Sequence, residues 1–141
     1  MRPFYFFFIL LLVPLYFCII IIRILVISFI DSVKWKKARI KCAKNNIRII
    51  LYVANNNELD IIKNLMMLND NFRIIFLDSI TDCYEHKMYY YLNLHKIYGP
   101  IIVLAHKNNF EVIKLYSMIH IKKNRLKKIR KITKKIDNVL K

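Results

Sequence analysis

From Phe4 to Ile22 the chain runs through 19 residues without a charge, and it stays apolar to Ile30 with Arg23 as the only charge. As a helix, that first run spans roughly 28 Å, close to the hydrocarbon thickness of a bilayer. Leu, Ile, Phe and Val each favour insertion by about 0.3–0.6 kcal/mol at the centre of such a helix. A core helix of a soluble protein would need a polar face, and this stretch has none. Centring the span on Phe4–Ile22 leaves Arg23 near one end, where its stem can reach the headgroups. Pro14 is compatible with a membrane helix. The run is longer than the roughly 7–15-residue core of a cleaved signal peptide. Ile30-Asp31-Ser32-Val33-Lys34, which follows it, offers no small-x-small cleavage site. The expectation is a retained, single-pass anchor over residues 1–30.

The flanks predict its orientation. Arg2 stands before the span, and Lys34, Lys36, Lys37, Arg39, Lys41 and Lys44 stand after it. By the positive-inside rule, the bulk of this integral membrane protein faces the cytoplasm. Residues 31–46 read as a basic juxtamembrane linker, with Trp35 suited to the interface.

Of the 141 residues, about 95 remain for one soluble domain over 47–141, enough for a single core. The net charge of +16 predicts attraction to anionic surfaces. The abundance of Ile, Lys, Asn and Tyr also matches an AT-rich coding bias, which raises Lys and Asn without selection. A single glycine excludes glycine-rich phosphate loops. Cys18 lies in the span, and Cys42 and Cys83 do not make a disulfide scaffold.

Ile47 to Val53 is β-branched and bounded by asparagines, which predicts a buried strand. Asn55-Asn56-Asn57 is a turn able to cap a helix over Glu58–Leu68, where Leu59, Ile62, Leu65 and Met66 share a face. Asn69-Asp70-Asn71 ends that helix, and Phe72–Leu77 forms a second strand. Asp82 is placed to cap a helix reaching about Ile97, with Tyr84, Met88, Tyr91, Leu92 and His95 on its core stripe. Ile101–Leu104 and Phe110–Tyr116 make an antiparallel hairpin. From about His120 onward, Ile121, Leu126, Ile129, Ile132, Ile136 and Leu140 repeat at a helical period. Ten of the last 22 residues are Lys or Arg, so this is a basic amphipathic helix. The fold class is α/β: an N-terminal transmembrane helix, then a small βαβαββα domain with a mixed sheet.

That order, with Lys96-Ile97-Tyr98-Gly99-Pro100 before Ile101–Leu104 and a hairpin to Phe110–Tyr116, resembles the thioredoxin-like fold. The resemblance covers roughly Ile47 to Leu140 and implies that Pro100 occupies the family's cis-proline position. Thioredoxins carry Cys-x-x-Cys after their first strand, at a helix N-terminus that lowers the thiol pKa. Here that loop is Val53-Ala54-Asn55-Asn56-Asn57-Glu58, without cysteine. The resemblance therefore implies a redox-inactive member. A membrane helix, basic connector and strand–loop–helix–strand also look like the membrane-anchoring subunit of the glycosyltransferase that adds the second N-acetylglucosamine to dolichol-linked glycans. That family's Gly-rich loop is replaced here by Asn55-Asn56-Asn57.

Two sets of side chains invite a functional reading. Cys83 and His86 stand three apart at a predicted helix start, within reach of one metal, but structural zinc needs four ligands. Cys83 alone would serve a single-cysteine redox enzyme. Lys34, Lys36, Lys37, Lys122, Lys123, Lys127, Lys128 and Lys131 suit anionic lipid headgroups. Nucleic acid fits less well, because the basic C-terminal stretch has no aromatics for stacking. No motif implies a cofactor. The expected function is a binding or scaffold module at the membrane surface with a protein partner; a membrane-bound enzyme is the alternative.

Overall fold

In the computed structural model, residues 2–66, 68, 71–79 and 81–141 are described. The chain divides into two units, Met1–Lys34 and Trp35–Lys141. One helix, α1, runs through Arg2–Lys44 with Pro14 inside it. Its apolar part is exposed, and the helix is long and apolar enough to cross a membrane.

The second unit is built on a four-stranded mixed sheet. The elements after α1 are β1 (Ile49–Val53), α2 (Asn56–Met66), β2 (Arg73–Phe76), α3 (Tyr84–Tyr91), a 3₁₀ turn (Leu94–Lys96), β3 (Ile101–Ala105), β4 (Phe110–Lys114), α4 (Tyr116–His120) and α5 (Arg125–Leu140). The strand order is β2-β1-β3-β4. β1 pairs parallel with β2, Leu51 opposite Ile74, and antiparallel with β3, Leu51 opposite Ile102. β3 pairs antiparallel with β4.

The central strand explains the layers. All five residues of β1 are buried, as an unbroken apolar run requires when both sheet faces are covered. Ile49, Leu51 and Val53 point to one side, where Leu59 and Ile62 of α2 and Ile132 and Ile136 of α5 close the core. Ile50 and Tyr52 point to the other, against Met88 and Tyr89 of α3 and against Ala38 and Cys42 of α1. Each buried aliphatic side chain contributes about 1.5–3 kcal/mol relative to exposure.

Several boundaries differ from the sequence reading. Of the stretch 31–46, expected to be a linker, the residues up to Lys44 continue α1, and their later part belongs to the core. Ala38 and Cys42 have no exposed surface, and the Trp35 ring lies 5.5 Å from that of Phe110. Trp35, Ala38 and Cys42 stand three and four apart, so a helical stripe covers the sheet where lysines had suggested a solvated connector. The helix expected from Asp82 to Ile97 stops at Tyr91, because Asn93 takes a left-handed conformation, φ 58°. Tyr91 and His95, placed on its core stripe, are exposed. The C-terminal helix, expected from about His120, starts only at Arg125, after Asn124 at φ 59°, and His120 instead closes the short α4. Consequently Ile121 and Leu126 are 47% and 73% exposed and do not join the α5 stripe. β4 ends at Lys114, and Tyr116 opens α4. The break expected at Asn69-Asp70 lies outside the described residues.

Candidate functional site

The loop after β1 is where the resemblance would place redox chemistry. Asn55 caps α2, its Oδ1 accepting the Glu58 backbone N–H at 3.1 Å. Glu58 turns back, and its carboxylate accepts the Ala54 N–H at 2.6 Å. The first bond satisfies a donor that the helix start leaves open, and the second ties the end of the β1 loop to the first turn of α2. It also sets a carboxylate against the positive end of the helix. Ala54 and the asparagines carry no thiol.

Pro100 is buried at the entrance to β3, and its carbonyl accepts the Leu115 N–H at 3.0 Å. The cis bond that the resemblance implied is not present: the Gly99–Pro100 peptide is trans. Gly99 makes the turn instead, at φ +81°, a conformation that L side chains rarely adopt. A Cβ there would also stand 3.1 Å from the Tyr116 Cβ.

Cys83 occupies the position before α3 and makes no side-chain cap. Its Sγ lies 3.5 Å from the Thr81 hydroxyl. His86 packs against Tyr90, ring centroids 5.7 Å apart. No group of three or more His, Cys, Asp or Glu converges to hold a metal among the described residues. Asp82, expected as the helix cap, pairs with Lys87 instead. Cys42 is the second thiol of this unit; both it and Cys83 are free, and Cys42 is buried with its Sγ 3.9 Å from the Met88 sulfur.

Beside this pair of cysteines lies a buried polar tie. The Tyr52 hydroxyl donates to the Glu85 carbonyl at 2.7 Å, and its burial pushes its pKa well above the ordinary tyrosine value. The Glu85 side chain, 9% exposed, lies 3.4 Å from Nε of Arg73. These contacts join β1, α3 and β2. Their role is to hold the sheet and its helix together.

The lysines singled out in the sequence stand on separate elements. Lys36 and Lys37 are exposed on the part of α1 that covers one sheet face. Lys127 and Lys131 are exposed on α5, and Lys128 is half-buried there, over the opposite face. Lys122 and Lys123 are exposed between α4 and α5. Lys34 belongs to the first unit.

One concave site of the second unit was not apparent in the sequence. A cleft of about 530 Å³ opens where α1 ends, β1 begins, β3 turns into β4 and α5 ends. Arg39, Arg48, Lys107 and Lys141 bring four full charges to its lining, His106 a titratable ring, and no carboxylate side chain joins them. Arg48 donates from Nη1 to the carbonyls of Leu140 at 3.0 Å and Val139 at 3.4 Å, capping the C-terminal end of α5. Arg39 donates to the Asn108 carbonyl. Both guanidinium groups are therefore held by backbone. His106 Nε2 lies 3.4 Å from the Glu111 carboxylate, which also binds Lys135. The lining residues lie up to 102 positions apart, so no local motif could have marked the cleft. Comparison of the chain with family models, curated proteins and solved structures finds no match.

Proposed function

We propose that this chain is a single-pass membrane-anchored protein carrying a thioredoxin-like domain that lacks a redox dithiol, and that the domain serves as a cytoplasm-facing binding or scaffold module at the membrane surface. The observation that carries this reading is the sheet. Its order is β2-β1-β3-β4, with β3 antiparallel to its neighbours. α2 and α5 lie on one face, and α3 with the end of α1 on the other; a mixed sheet covered on both faces supports the reading. The loop that would hold the dithiol has Asn55 and Glu58 engaged in capping, which supports a binding role over electron transfer. The span Phe4–Ile22 supports the anchor, and the lysines beyond it support the cytoplasmic orientation.

The test uses Cys83, because Cys42 is buried. A membrane-impermeant maleimide is applied to cells before and after permeabilisation. Labelling of Cys83 only after permeabilisation is expected; labelling of intact cells would reverse the proposed orientation. In parallel, the purified full chain should leave the disulfides of insulin unreduced in the presence of dithiothreitol beyond the reagent's own rate. Acceleration abolished by Cys83→Ser would instead establish the single-cysteine enzyme.

A further inference from the structure

We propose that the cleft between the ends of α1 and α5 binds an anion through a phosphate group, carried by a soluble phosphorylated molecule or by a lipid headgroup. The site lies wholly within the second unit and is independent of the thioredoxin-like reading.

Charge is the first argument. Two helix C-termini reach the cleft, at Ala43 and at Asn138–Val139, and each contributes roughly half a negative charge. Together they offset about one of the four side-chain cations. The remaining excess exceeds what capping two helices requires, and no acidic side chain lines the cleft to absorb it.

Geometry is the second. Arginine presents a planar fork of five N–H donors that matches phosphate oxygens. Arg48 spends Nη1 on both of its carbonyls, and Arg39 likewise uses Nη1 on Asn108. Each guanidinium is thereby positioned with other donors still to place. Such preorganisation lowers the entropy lost on binding. Asn46 and Asn138 add amide groups to the lining. A volume of about 530 Å³ suits a small ligand. A cation is disfavoured by the same charges, and no Phe, Tyr or Trp lines the cleft to stack a nucleobase.

The experiment uses the full chain in phosphatidylcholine nanodiscs, titrated calorimetrically with inositol trisphosphate. Saturable binding of one equivalent is expected. Lys107→Gln with Lys141→Gln, both exposed positions, should weaken it about tenfold or more, since charge-assisted contacts are lost. Lys122→Gln with Lys123→Gln removes the same charge outside the cleft and should leave affinity within about twofold, as for an exposed charge away from the contact. Absent saturable binding, equal weakening in both double variants, or no weakening in the first would each overturn the proposal. Circular dichroism checks that both variants are folded. Including phosphatidylinositol bisphosphate in the nanodisc separates the sources. If the lipid blocks the soluble probe, and does so only with the cleft lysines intact, the ligand is a headgroup; if titration is unchanged, it is a soluble phosphate compound.

Discussion

Tyr52 shows what one residue carries in this domain. Its ring is buried against Tyr89, centroids 5.1 Å apart, and a hydroxyl in that setting costs stability unless it is bonded. The Glu85 carbonyl, 33 residues away, supplies the partner. Tyr52→Phe keeps the ring and removes the bond, and should cost about 0.5–1.5 kcal/mol. In a domain of this size that corresponds to a melting point lower by roughly 4–8 °C per kcal/mol. An unchanged midpoint in denaturant would show that the bond contributes nothing net. In the sequence Tyr52 was legible only as a strand residue. Its polar partner depends on α3 crossing the sheet, which no local pattern encodes.

At the scale of elements, α5 is held to the sheet by Ile132 and Ile136 and by the contact of Lys135 with Glu111 on β4. The bond from Lys135, aided by His106, holds the Glu111 carboxyl below its ordinary pKa. A carboxylate depressed on folding stabilises the folded state above its unfolded pKa, and that contribution fades as pH falls through the folded value. Wild type should therefore melt above Glu111→Gln near neutrality, and the gap should close as pH drops below about 4. A gap independent of pH between about 7 and 3 would assign the difference to packing rather than charge. The amphipathic character of α5 was readable from its isoleucine period. Its start was not, because the left-handed turn at Asn124 leaves the apolar period running through Ile121 and Leu126.

For the whole molecule, the decisive question is where the folded domain begins. The sequence suggests residue 47, whereas the structure places Trp35, Ala38 and Cys42 in the core or packed against it. A fragment of residues 35–141 should be soluble and melt cooperatively. A fragment of 47–141 uncovers the face carrying Ile50, Tyr52 and Val103 and should lose that cooperativity. Equal melting of the two fragments would show that the end of α1 is dispensable to the fold.

By itself, the sequence determined the apolar span, the α/β class, the order of the main strands and helices, and the absence of a dithiol after β1. These are local properties, written in hydrophobic period, β-branched runs and residue identity over a few positions. Only the tertiary structure decided that basic residues 35–44 carry a buried stripe, that Gly99 makes the turn before a trans Pro100, and that Cys83 and His86 gather no further ligands among the described residues. It also assembled Arg39, Arg48, Lys107 and Lys141 around one cleft. A charged site built from chain ends and a turn has no period. Its members meet because the sheet brings the end of α1, the start of β1, the β3–β4 turn and the end of α5 to the same edge of the domain.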